Sequence, residues 1–159
     1  MGKRSDGIVE LERYGISGSQ VYLLDVIPLI EMMWADGIVQ AEEWKLLLEF
    51  VSEHVANINA AAGLTVLTPK EAAEFVNRFS GERPDPTLLQ HLRELIPSVR
   101  LSNSDPVTNQ QRREAILQWC LDIGAACVAN YPYGSHERFD AKEKECFKSI
   151  LNTLAVPAN

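Results

Sequence analysis

No stretch of this chain alternates apolar and polar residues with the period of two that a half-buried strand needs. Apolar residues instead recur at helical spacing between glycine, proline and capping signals. Leu23, Ile27, Ile30 and Trp34 form one stripe, and Ile116, Trp119, Ile123 and Ala126 form another. The segment boundaries carry named physical signals. Thr68-Pro69-Lys70-Glu71 is a capping box with proline at the first helical position. Asp85-Pro86 repeats the cap-then-proline start, and Asp140-Ala141-Lys142-Glu143 has box spacing again. The pattern predicts an all-α chain whose helices cover about Ile8–Tyr14, Ser19–Asp36, Ala41–Ala61, residues from Pro69, Asp85–Ile96, Thr108–Asn130 and Asp140–Leu154. Gly15, Gly37 and Gly63 are placed to close the first three. Pro28 either kinks the second helix or sits in its first turn. A Ser-Asn-Ser-Asp-Pro linker spans Ser102 to Pro106, and Tyr131-Pro132-Tyr133-Gly134-Ser135 breaks the long helix before the last.

At 159 residues, 46% of them hydrophobic, the chain fits a single compact domain of about six or seven helices. Positions one hundred apart correspond weakly. Val39, Ala41, Glu43, Leu47, Phe50 and Val51 match Phe139, Ala141, Glu143, Phe147, Ile150 and Leu151. Upstream, Ile30-Glu31 matches Leu121-Asp122. This suggests two helix-turn-helix units packed together, the first at about residues 19–62 and the second at about 108–155.

Charge narrows the function classes. The formal charge is −7, and the stretch from Ser19 to Ala62 holds seven acids against one base, Lys45. The partner this implies is cationic or basic. A nucleic-acid ligand is not expected, since only Arg100, Arg112 and Arg113 gather around one loop. No apolar run reaches membrane-spanning length, which leaves peripheral association as the only membrane role, and the amino terminus has no secretory pattern, so a cytoplasmic location is expected. Cys120, Cys127 and Cys146 cannot all pair among themselves; Cys120 and Cys127, seven apart on one helix face, read as small buried apolar residues, and the scattered His54, His91 and His136 lack the spacing of a zinc site. No nucleophile elbow, phosphate loop or zinc-protease helix is present, so no enzyme is expected.

The most informative stretch is Trp34-Ala35-Asp36-Gly37-Ile38-Val39-Gln40-Ala41-Glu42-Glu43. Asp36, Gly37, Val39 and Glu43 fall at the fifth, sixth, eighth and twelfth positions of an EF-hand loop. Met32 and Trp34 occupy the first and third positions, where calcium needs oxygen, so a standard EF-hand is excluded. What remains is a tight turn with carboxylates on both sides. Glu43 is favoured at a helix N-terminus without any metal, whereas Asp36 at a C-terminus faces the negative end of the dipole. Asp36 is therefore explained by hydrogen bonds across the turn, by a bound cation or by a protein contact.

The run from Leu23 to Glu43, with its apolar helix ending in Ala-Asp-Gly and a glutamate opening the next helix, resembles the tellurite-resistance TerB-like family. The close likeness covers Leu23 to about Val51. It implies a repeated all-helical fold, a role linked to tellurite and stress resistance, no catalytic activity, and acidic residues suspected of metal binding. Residue by residue, the resemblance marks Asp36 and Glu43, with Glu31 as companion. In the second unit it marks Glu143, with Asp122 matching Glu31, but Ala125-Ala126-Cys127-Val128 stands where Ala-Asp-Gly is expected. The candidate metal ligands are thus Glu31, Asp36, Glu43, Asp122 and Glu143, and the hard oxygen set favours calcium, magnesium or manganese. The alternative is a metal-free protein-interaction adaptor that uses its acidic face.

Overall fold

The structure, a computed structural model, describes residues 3–35, 41–128 and 141–155. Within them the chain runs α1 (Lys3–Glu12), a 3₁₀ segment (Gly18–Val26), α2 (Ile27–Trp34), α3 (Ala41–Ala62), α4 (Pro69–Ser80), α5 (Pro86–Glu94), α6 (Ile96–Arg100), α7 (Pro106–Val128) and α8 (Ala141–Ala155). The fold is all-α, as the pattern predicts. Only Leu95 separates α5 from α6, and Pro97 lies in the first turn of α6. Counted as one helix interrupted at Leu95, the pair brings the α-helices among the described residues to seven.

The local signals account for most of the boundaries. Glu71 N–H donates to Thr68 Oγ1 at 3.1 Å, and Thr68 N–H donates back to Glu71 Oε1 at 3.4 Å, so the capping box is formed. Asp85 Oδ1 accepts from Thr87 N–H at 2.9 Å at the start of α5. Asp105 does the same for α7, accepting from Val107 N–H at 3.0 Å, which starts that helix two residues earlier than expected. Gly63 ends α3 with φ of +73°, a conformation that costs a side chain heavily.

Two elements differ from expectation. Helix α1 begins at Lys3 and runs through Gly7. The expected second helix is a 3₁₀ segment followed by α2, and Pro28 sits in the first turn of α2 rather than kinking it. The 3₁₀ segment buries Val21, Leu23, Leu24 and Val26 together with Asp25. Gly37 and Asp140, expected as a helix end and a helix cap, lie outside the described residues, as does the Tyr131–Ser135 break.

Helix α2 occupies the centre. Its Ile27, Leu29, Ile30, Met32 and Met33 are all fully buried, as suits a helix apolar on every side. Each such side chain contributes about 1.5–3 kcal/mol by leaving water. Helices α3, α5, α7 and α8 surround α2, and α7 also lies along α3. The pairs α2/α3 and α7/α8 therefore pack on each other. Glu43 and Glu143 are each the third residue of their helix, and both are buried, at 0% and 2% exposure. The correspondence ends further along: Val51 is buried while Leu151 is exposed.

Candidate functional site

Glu31 lies in the second turn of α2, facing α5 and α8. Arg93, in the last turn of α5, donates from Nη1 to Glu31 Oε2 at 2.7 Å. Its other donors reach α8: Nη2 to Ser149 Oγ at 2.8 Å and Nε to Thr153 Oγ1 at 3.1 Å. One guanidinium thus joins three helices. The pair is buried, with side chains only 4% and 10% exposed for Arg93 and Glu31. Glu31 Oε1 is buried and accepts no hydrogen bond among the described residues. Burial pushes the Glu31 carboxyl up to about 7, Arg93 pulls the other way, and Glu94 adds a further upward push.

Glu31 also faces Cys146 of α8 across a cavity of about 200 Å³ whose rim includes Trp34, Arg83 and Pro84. Trp34 is held there by its Nε1–H, which donates to the Phe79 carbonyl at 3.0 Å. Burial, then the Glu31 charge, raises the Cys146 thiol to about 12. Glu143 acts on the same thiol in the same direction, so the α2 and α8 carboxylates flank one sulfur. Cys120 of α7 is fully buried, its thiol raised well above the ordinary value by burial and by Cys146. Cys120 and Cys146 are free thiols; Cys120 is buried as expected, while Cys146 is half-buried.

The expected site residues separate as follows. Glu31, Glu43 and Glu143 are buried on α2, α3 and α8. Asp122 is half-buried on α7 and accepts from Gln118 Nε2 at 3.1 Å, one turn away on its own helix. The partner of Glu31 is Arg93, not Asp122. Asp36 lies outside the described residues. Among the described residues no three His, Cys, Asp or Glu side chains are grouped closely enough to hold a metal ion. The fit to a divalent cation therefore rests on the orphaned Glu31 Oε1, a hard oxygen turned away from its arginine.

Sequence reasoning missed Arg93 altogether, since it stands 62 residues from Glu31 with no local signal. It also placed Arg100, Arg112 and Arg113 together in a basic group on one loop. Arg100 is instead buried against Asp25, and Arg113 donates from Nε to the Leu154 carbonyl at 2.5 Å. The three form no exposed basic patch. Among the described residues, no helix is long and apolar enough to cross a membrane.

Compared with protein-family models, curated proteins and solved structures, the chain matches none of them.

Proposed function

We propose that this protein is an acidic binding module of the TerB-like kind, linked through that resemblance to tellurite and stress resistance, that takes up a divalent cation beside the Glu31–Cys146 cavity. Calcium, magnesium or manganese is the chemistry that hard carboxylate oxygens select. One observation carries the reading: Glu31 Oε1 is buried without a hydrogen-bond donor among the described residues. An unserved carboxylate oxygen costs about 1–3 kcal/mol or more, and a cation offsets that cost. In this reading the further oxygens are drawn from Asp36, Glu43, Glu143, Asp122 and water, since no three of the described acids are grouped as a ready site.

The test is thermal unfolding with millimolar calcium, magnesium or manganese, because a ligand that binds only the folded state raises the melting temperature. The reading expects a rise in the wild type that is lost in Glu31→Gln and in the double variant Asp36→Asn with Glu43→Gln. A wild type indifferent to all three ions overturns it.

A second reading has its own support. Glu42, Glu49 and Glu53 are exposed on α3, with Lys45 the one base among them. A metal-free adaptor would dock a basic partner on that face, most strongly at low salt. The partner's binding would then survive chelation and Glu31→Gln.

A further inference from the structure

At the far end of α3 from Glu43, about 20 Å along the helix axis, a second cavity opens between α3, α6, α7 and the 3₁₀ segment. Its volume is about 290 Å³, near the lower end of small-molecule pockets. One wall is apolar, built from Phe50, Ile58 and Ile116, while Thr108 and Gln111 border it along α7.

The charges on this cavity do not cancel. Arg100 spends its guanidinium on Asp25, donating from Nε to Oδ1 at 2.9 Å and from Nη2 to Oδ2 at 3.2 Å, both residues being buried. Asp25 Oδ2 also lies 3.7 Å from His54 Nε2. That nitrogen is 2.8 Å from the Tyr22 carbonyl, which can only accept, so Nε2 carries the proton there. Among the described residues Asp25 is the only carboxylate lining the cavity, and it is matched by Arg100.

Arg112 is left over. Its Nη1 donates to the Arg100 carbonyl at 2.9 Å, which anchors the guanidinium beside the cavity. It is half-buried and forms no ion pair among the described residues. Burial, then the Arg100 charge, pulls its pKa down; Asp25 and Tyr22 push the other way without cancelling that pull, and Arg4 adds to the lowering. In a chain carrying −7 overall, this is a local excess of one positive charge.

We propose that this cavity binds a small organic monocarboxylate, with the carboxylate on Arg112 and the apolar tail against Phe50, Ile58 and Ile116. One uncompensated positive charge matches one carboxylate, and a planar guanidinium presents paired donors to it. The apolar wall favours a ligand with a hydrocarbon body over a bare inorganic ion.

Isothermal titration of the full chain with hexanoate, its neutral analogue hexanamide and inorganic phosphate tests this. The expected result is saturable hexanoate binding, at least about tenfold weaker hexanamide binding because the charged pair is lost, and phosphate that fails to displace hexanoate. Arg112→Met keeps the apolar stem and should abolish hexanoate binding. Ala115→Trp places bulk at the exposed cavity lip while leaving Arg112 intact, and should do the same, so the site remains testable if Arg112→Met fails to fold. Circular dichroism establishes folding of each variant. No hexanoate binding to the wild type, equal binding of hexanamide, or undiminished binding to folded Arg112→Met or Ala115→Trp overturns the proposal. Phosphate that displaces hexanoate as well as hexanoate itself does so too.

Discussion

Arg93 serves only one oxygen of Glu31: Nη1 meets Oε2 at 2.7 Å, and Oε1 of the same carboxylate has no donor among the described residues. An arginine fork commonly holds both oxygens of a carboxylate. Here the rest of the fork is used on Ser149 and Thr153 of α8. The guanidinium ties α8 to α2 and α5, and half of the glutamate is left unserved. That division explains why burial, rather than the nearby positive charge, decides the carboxyl's protonation.

A pH dependence follows from it. The Glu31 carboxyl is raised from its ordinary 4.5 to about 7 in the folded state. Between those values the native state holds a proton that the unfolded chain has released, so stability falls as pH rises. The contribution is fully present below about pH 4.5 and lost above about pH 7, an effect of about 3 kcal/mol. Other groups titrate over the same range, so the measurement is a difference: urea unfolding of wild type and Glu31→Gln at several pH values. The gap should move in favour of the glutamine variant as pH rises. Because a bound cation needs the ionised carboxylate, millimolar manganese at about pH 8 should recover the loss in the wild type alone.

The cysteines give a chemical readout of the same neighbourhood. A thiol reacts as its thiolate, and burial together with Glu31 holds Cys146 near 12. Cys120 is raised as well and fully buried. Iodoacetamide at mildly alkaline pH should therefore leave both unmodified in the folded protein, and peptide mapping should find them labelled only after denaturation. Rapid native labelling of Cys146 would show that its thiol is neither buried nor facing a carboxylate.

Gly7 tests the packing of α1 on α6. A glycine inside a helix normally gains about 1 kcal/mol on conversion to alanine. A Cβ at Gly7 would lie 2.6 Å from Val99 Cγ2, too close for a buried branched side chain to yield easily. Gly7→Ala should lower the melting temperature. Adding Val99→Ala should reduce the further loss below that of Val99→Ala in the wild-type background, because the new methyl then fills the space vacated.

These particulars show what a linear reading can reach. Caps and stops are local, and Thr68–Glu71, Asp85 and Gly63 behave as their residue types dictate. The all-α class follows from the same local information. Gly7 concealed the first half of α1 because a glycine is ordinarily a helix breaker, and only contact with α6 reveals its use. The 3₁₀ segment escaped because Leu23 and Leu24 are both buried, leaving no polar stripe to separate one helix type from another. For the site, Glu43 stood out as the glutamate that opens the helix after Asp36-Gly37, and Glu31 as its companion in the resemblance. Their burial was not legible, and neither was the arginine that answers Glu31, because pairing across 62 residues depends on how the helices stack. Arg100 was misplaced for the same reason: a basic residue beside a linker reads as surface until Asp25 is found beneath it.

The Asp25–Arg100 pair joins the 3₁₀ segment to α6 across 75 residues, with both side chains about 4% exposed. The Arg100 guanidinium also lies over the Tyr22 ring, 5.1 Å from its centroid. A buried ion pair gains little over a well-packed apolar replacement, because desolvation offsets the attraction, but removing one member strands the other charge. Arg100→Met should therefore cost about 3–5 kcal/mol, since the buried Asp25 would lose both of its guanidinium hydrogen bonds. Asp25→Leu alone should be similarly harmful, because it leaves an arginine buried beside the half-buried Arg112. Combining the two should recover most of either loss, giving a large favourable coupling energy in a double-mutant cycle. Urea unfolding of the four proteins measures it. Additive losses would show that Asp25 and Arg100 are stabilised by separate surroundings, and the direct ion pair would then not be what fastens the 3₁₀ segment to α6.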